Sequence, residues 1–270
     1  AAALKGKHFD AVVDWIAFTP AHVERDIRLF TGKTDQYFFI SSASAYQTPP
    51  LRLPIVESTL LANPVWEYSR NKIACEELLV RSFRERGFPF TIIRPSHTYD
   101  KTLLPCHGGW SVIERMRQGK PVVVHGDGTS LWVLTHHADF AKGLVPLLGN
   151  VTAVGEAFHI TSDELLTWDR IMHLLARAAG AEAKLVHVPS DVIARHDKEW
   201  GDSLLGDKTH SVIFDNSKLR RFVPDYQATI PFALGAQEIV AWYDADPRRK
   251  TLDPAFDALQ DKLIALMGQE

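Results

Sequence analysis

Residues 36–46, QYFFISSASAY, open as an apolar, β-rich run and close on small polar residues. The first half has the character of a buried parallel strand, and the small residues after it leave room for a ligand. Upstream, residues 9–18, FDAVVDWIAF, make a second run of the same kind. Between the two, Thr19 is placed to cap a helix with Pro20 at its first position, and PAHVERDIRLF spaces Val23, Ile27 and Phe30 helically before Gly32 ends it. Downstream comes a Pro-rich loop over 49–64, and then Trp66 to Arg86 reads as a long helix with Ile73, Leu78, Leu79 and Phe83 on apolar faces and Gly87 as its stop. FTIIRP, residues 90–95, is a third strand. Strand, helix, strand, helix, strand with crossovers of this length predicts an α/β fold, a doubly wound parallel sheet with helices on both faces. Ligands of such sheets bind outside the carboxyl ends of the strands, so Ala17, Ser42 and Pro95 are expected at one crevice.

Beyond Pro95 the pattern loosens. A helix to Gln118, a strand PVVVHG, a GDG turn, a helix through HADFAKGLVPLL and a strand EAFHIT are followed by a helix over 168–179, a strand KLVHV and helices near 230–243 and 254–267. The expected organisation is a sheet portion over 1–95, with 96–270 returning some elements to the sheet and building a smaller C-terminal substrate lobe. No repeat at a period of roughly 20–50 residues is present.

The 270 residues are 46% hydrophobic and 23% charged, with 16 Gly and 15 Pro, an ordinary globular composition. A net charge of -3 offers no basic field for a polyanion, so no nucleic-acid partner is expected. Cys75 and Cys106 are too few for a disulfide framework, which makes a reducing cytoplasm the expected compartment. No apolar run reaches the roughly 18 residues of a bilayer span, and the opening AAALKGKHFD has neither the charged nor the apolar region of a signal peptide.

The chemistry concentrates on YSRNK, residues 68–72. Tyr68 and Lys72 stand four apart on the long helix and project from one face about one turn apart. A tyrosine, with an ordinary pKa of about 10, is a poor acid or base at neutral pH, and a neighbouring ammonium favours its phenolate. Ser42, at the end of the second strand, is a small hydroxyl able to hold a carbonyl or alkoxide while Tyr68 moves the proton. The three suit carbonyl and alcohol redox chemistry.

Five motifs in order resemble the short-chain dehydrogenase/reductase superfamily, specifically its extended branch, the NAD-dependent epimerase/dehydratase family. They are VVDWIAF, FFISSASAY as the S-x-x-x-Y strand, YSRNK as the Y-x-x-x-K helix, TIIRPSHTY as the R-P-x-N-x-Y strand, and GDGTSLWVLTHHADFA as the G-D-G…D-D-x-A segment. The resemblance implies a Rossmann-like fold and a cofactor, NAD or NADP. It makes Tyr68 the acid/base, Lys72 its activator and a binder of the nicotinamide ribose, and Ser42 the carbonyl-polarising hydroxyl. Trp15, Ile16, Ala17 and Ser41 would line the cofactor, with Pro95 and His97 near the nicotinamide, and Ser44, His97 and Trp132 would meet the substrate. It also implies a homodimer paired through residues 20–31 and 65–86, where Val80 and Phe83 would be covered.

Three departures shape the expected function. No G-x-x-G-x-x-G turn for a pyrophosphate precedes Phe9, so two βα units of about 30 residues each are expected upstream of it. Ala43 and Ser44 stand where dehydratases carry acidic residues, which argues against sugar 4,6-dehydration. Trp132 replaces the usual diphosphate-binding Arg and His97 the usual Asn; a Trp cannot neutralise a phosphate but can stack on a ring. The expectation is an NAD(P)-dependent oxidoreductase or epimerase of a sugar-like alcohol or ketone. The rivals are a carbonyl reductase of a non-sugar substrate and a non-catalytic binding or regulatory module on the same fold. His136, His137 and Asp139 lack a third group at ligand spacing, so no metal is expected.

Overall fold

The computed structural model describes residues 4–268. The chain forms two compact units. The first holds residues 4–96, 140–161 and 214–227, and the second holds 97–139, 162–213 and 228–268.

The first unit is built on a parallel sheet. Strands β1 (Val12–Asp14), β2 (Tyr37–Ile40) and β3 (Phe90–Pro95) alternate with helices α1 (Pro20–Phe30) and α2 (Glu67–Arg86). In the second unit follow β4 (His97–Tyr99), α3 (Trp110–Arg117), β5 (Val122–His125), β6 (Leu131–Trp132) and β7 (Leu134–His136). Helix α4 (His137–Leu144) leads to β8 (Ala157–Ile160), which returns beside β3 and completes the order β1-β2-β3-β8. All three pairings are parallel.

Period-2 alternation sorts the side chains of this sheet. Tyr37, Phe39, Phe90 and Ile92 point to one face and join Val23 and Ile27 of α1 and Cys75 and Leu79 of α2 in a buried cluster. Phe38, Ile40, Ile93, Phe158 and Ile160 point to the other, against Phe140 and Leu144 of α4. Leu219 and Val223 complete that second cluster, Leu219 lying in the short helix at Ser217–Phe222. Helices on both faces are what the alternating element order requires.

Two elements within residues 9–95 differ from their sequence reading. The run over 9–18 is a strand only at Val12–Asp14, because the Asp14 side chain accepts the amides of Ile16 and Ala17 and turns the chain. On α2 the buried stripe is Ser69, Lys72, Cys75, Glu76, Leu79 and Ser82. Of the four apolar residues expected inside, only Leu79 is buried; Ile73 and Leu78 are half-buried and Phe83 is exposed.

The second unit pairs its strands two by two. β5 lies parallel to β10 (Leu185–Val188), β4 parallel to β7, and β6 antiparallel to β9 (Leu166–Thr167). Helix α5 (Trp168–Ala178) packs against the helix at Phe232–Asp244, and the C-terminal helix at Pro254–Met267 covers β5 and β10. No helix among the described residues is long and apolar enough to cross a membrane.

Candidate active site

The end of β2 and the start of α2 are stitched together by uncharged groups. Ser42 follows β2 and caps a short 3₁₀ turn over Ala43–Ala45, its Oγ accepting the Ser44 amide at 3.2 Å. The Ser42 and Ser44 hydroxyls lie 2.8 Å apart, and Ser69 Oγ donates to Ser44 Oγ at 2.7 Å. Asn63 closes the join from the loop, donating to the Ser44 carbonyl at 3.1 Å and accepting the Trp66 amide at 2.8 Å at the helix entrance. Ser42, half-buried, is thereby set relative to the first turn of α2, which carries Tyr68. The Tyr68 ring is itself half-buried and packs on Trp66 with centroids 4.9 Å apart.

Lys72 lies one turn further and is 1% exposed. Its Nζ donates to the carbonyls of Ala17 at 2.8 Å and Ile40 at 2.7 Å, so it clamps the segment after β1 to the end of β2. It lies 4.9 Å from the Phe18 ring centroid, 4.8 Å from that of Phe39 and 5.8 Å from that of Tyr68. Burial pulls its pKa down to about 8, while Cys75, Asp14 and Glu76 oppose that fall. An ammonium has three donors, and two are taken by carbonyls.

A charged network supports the same strand ends from below. Ser41 Oγ donates to Glu76 Oε1 at 2.5 Å, and Arg94 of β3 binds both Glu76 oxygens, with its Nη2 at 2.6 Å from Oε2. Arg94 also donates to the Glu57 carbonyl at 3.0 Å and lies 4.8 Å over the Tyr46 ring. Tyr46 Oη meets His159 Nδ1 at 3.0 Å, and burial lowers the His159 pKa and raises that of Tyr46. The pair Glu76–Arg94 is almost fully buried, which is tolerable only because each charge is met by the other and by further hydrogen bonds.

The predicted site residues of this unit thus fall into three groups. Lys72 lies against the Tyr68 ring and binds the Ala17 carbonyl, while Ser42 is tied through Ser44 to Ser69, the residue after Tyr68. Trp15 and Ile16 are exposed beyond β1, at 52% and 69%, and Pro95 is half-buried at the end of β3. Ser41 and Ser44 are buried with their hydroxyls held by Glu76 and by Ser42 and Ser69. Sequence reading missed Asn63, Ser69, Glu76 and Arg94. The available signal was position: Ser69 and Glu76 fall on the Lys72 face of α2, and Arg94 on the face of β3 that meets it.

The second unit carries His97 and Trp132. His97 opens β4, half-buried, and burial with the nearby Lys208 charge pushes its pKa down to about 3. Trp132 is 3% exposed and packs on Trp168 with centroids 5.5 Å apart. Neither indole N–H has a hydrogen-bond partner among the described residues. No group of three or more metal-ligating side chains occurs among the described residues.

The chain is similar to several known proteins. 2'-dehydrokanamycin reductase of Streptomyces kanamyceticus is 28% identical over 224 residues, which is 81% of this chain and 62% of that protein. Chloroplast stem-loop binding protein of 41 kDa b of Arabidopsis thaliana is 29% identical over 185 residues, 68% of this chain and 47% of that protein. The chain therefore spans only about half to three fifths of the length of these relatives. Among solved structures, UDP-glucuronic acid 4-epimerase from Bacillus cereus, in complex with UDP-glucuronic acid and NAD, superposes with a TM-score of 0.69 at 21% identity. That match covers 83% of this chain and 66% of the epimerase. dTDP-glucose 4,6-dehydratase from Bacillus anthracis, in complex with NAD, gives 0.71 at 17% identity over 88% of this chain and 74% of that one. The sequence model of the NAD dependent epimerase/dehydratase family matches residues 20–161. That span runs from α1 through Ser42, Tyr68 and Lys72 to the return of β8 at the sheet, and it is to this family that the chain belongs.

Proposed function

We propose that the chain carries the Ser42–Tyr68–Lys72 centre of an NAD(P)-dependent oxidoreductase or epimerase acting on a sugar-like alcohol or ketone. The observation that carries the reading is Lys72: a buried ammonium, held by two backbone carbonyls, within 5.8 Å of the Tyr68 ring. Tyr68 gives its phenolic proton to a carbonyl oxygen or takes one from an alcohol, and Lys72 makes the phenolate accessible by its charge. Ser42 donates to the same oxygen, its orientation set by Ser44 and Ser69. Bound NAD or NADP supplies the hydride or accepts it. The residues fit its nicotinamide-ribose end, where Lys72 has a donor beyond the two carbonyl bonds, with Trp15, Ile16, Ala17, Ser41 and Pro95 as the proposed neighbours. The 270-residue sequence holds no Gly-rich turn for the pyrophosphate.

Trp132 in place of an arginine favours a substrate other than a nucleoside diphosphate. The relative named 2'-dehydrokanamycin reductase supports the same preference. Ser44 is the proposed substrate-side residue of the first unit. A homodimer paired through α1 and α2 is supported by Phe83, 39% exposed on α2, and half-buried Val80.

The test is turnover of Tyr68→Phe with NADH and NADPH on 2'-dehydrokanamycin and, for epimerisation, with NAD on UDP-glucose. The expected result is a loss of about 10²–10⁴-fold on the accepted substrate with an unchanged circular dichroism spectrum. Wild-type turnover in the Phe variant overturns the assignment.

A further inference from the structure

The end of β1 holds a pair of buried carboxylates that the mechanism above does not use. Asp14 closes the strand and is 7% exposed; Asp26, on α1, is 6% exposed. Asp14 Oδ1 accepts the amides of Ile16 at 2.9 Å and Ala17 at 3.0 Å, so it shapes the turn over 15–17. Both acids meet one hydroxyl: Tyr37 Oη lies 2.6 Å from Asp14 Oδ2 and 3.2 Å from Asp26 Oδ2. The carbonyl at the end of that turn, on Ala17, accepts Lys72 Nζ.

One phenol hydrogen cannot satisfy two carboxylates, and two like charges this close cannot both persist in a buried setting. A proton must stay on one acid. Burial raises Asp14, but hydrogen bonds from Asp26, Tyr37 and the two amides outweigh it and hold that carboxyl below the usual range. Asp26 is raised by burial, by its hydrogen bond to Asp14 and by the Asp14 charge, against the pull of Arg25 at 3.1 Å. The proton therefore belongs to Asp26 and the charge to Asp14.

Three groups oppose the effect of burial on Lys72: Cys75, Asp14 and Glu76. The Cys75 thiol, pushed up to about 12 by burial, is neutral in the working range. Glu76 is matched by Arg94 at 2.6 Å. The rings of Phe18, Phe39 and Tyr68 also face Lys72 Nζ, and the two phenylalanines carry no charge. That leaves Asp14 as the anion whose charge is not already neutralised.

We propose that Asp14 is a positioning residue: a single negative charge, kept there by a protonated Asp26 and the Tyr37 hydroxyl, fixes the 15–17 turn and keeps Lys72 an ammonium. The inference rests on the reading of Lys72 as part of the active centre.

The test compares Asp14→Asn with Asp26→Asn in the full chain, following the Lys72 ε-amine by NMR of isotope-labelled lysine, assigned by the signal missing in Lys72→Met. In wild type the midpoint is expected near 8. Asp14→Asn should lower it and move the alkaline limb of the turnover profile by the same amount. Asp26→Asn, which leaves the charge on Asp14, should leave both where they were. Equal shifts in the two variants, or none in either, overturn the proposal, since a merely structural role does not distinguish them. Should Asp14→Asn fail to fold, carboxyl-carbon NMR of the wild-type protein decides. Asp14 ionising before Asp26 supports the assignment, and the reverse order overturns it. Failure of the functional reading shows separately: Lys72 would titrate as described while Tyr68→Phe kept full turnover.

Discussion

The two faces of the four-stranded sheet are built from different chemistry. The face toward α4 is apolar, with Phe38, Ile40, Ile93, Phe158 and Ile160 packed on Phe140, Leu144, Leu219 and Val223. The face toward α1 and α2 has a comparable apolar cluster, but buries Asp14, Asp26, Lys72, Glu76 and Arg94 beside it. Apolar contacts are non-directional and tolerate small shifts, so the first face supplies burial energy without specifying any one geometry. Buried charges are tolerated only in one arrangement of partners, so the second face fixes where the ends of β1 and β2 lie. The proposed Ser42, Tyr68 and Lys72 centre lies on that second face.

This contrast can be broken most sharply at Arg94. Arg94→Met leaves Glu76 buried without its cation and should cost about 3–5 kcal/mol in the urea unfolding midpoint. On the other face, Ile160→Val should cost about 0.5–1.5 kcal/mol. Removing both charges together, Glu76→Leu with Arg94→Met, should recover more than half of the single-variant loss, because no orphaned charge is left. A double variant no more stable than Arg94→Met would show that packing, not charge, dominates the site.

A smaller effect is expected from pH. The folded pKa of Lys72, about 8, lies below the ordinary lysine value of 10.5. Between those values the unfolded chain binds the proton and the folded chain has released it, so stability rises with pH across that window. The slope contributed by one group approaches about 1.4 kcal/mol per pH unit at most. Lys72→Met should lose that rise, measured as the wild-type minus variant difference in denaturation midpoints from pH 8 upward. A difference that does not change with pH would mean that Lys72 is not held as a strained cation.

The smallest effect on stability should come at the outer surface of α2. Phe83→Glu should change stability by under about 1 kcal/mol, since Phe83 is partly exposed at the outer surface and meets Phe90 edge-on. In light scattering at micromolar concentration it should nevertheless reduce the mass from two chains to one. A wild-type mass of one chain rules out the dimer.

Much of this was legible in the residue pattern. FTIIRP forms a strand over the same six residues that its composition marks, and YFFI and YSRNK fall on strand and helix as read, because buried strands and long helices leave periodic signatures. The same reading misjudged α2, where the spacing of Ile73, Leu78 and Phe83 suggested an apolar inner face and the structure buries Ser69, Lys72 and Glu76 instead. Periodicity detects hydrophobic faces, and a polar residue counts against burial unless its partner is known. Those partners are distant in sequence: Arg94 for Glu76, Ala17 and Ile40 for Lys72, Ser44 for Ser69.

Local sequence by itself determined the strand–helix order from β1 to β3, the parallel crossovers between those strands, and the one-turn spacing that sets Tyr68 and Lys72 on a common face of α2. These depend on backbone geometry and on contacts between near neighbours, which a short stretch of residues encodes. Only the tertiary structure decided that Lys72 is buried and bound to two carbonyls, that Asp14 ends β1 early, and that Asp14 and Asp26 share the Tyr37 hydroxyl. Each of these depends on whether a charge finds a partner from another strand or helix, and desolvation makes that pairing a property of the assembled fold rather than of any segment of it.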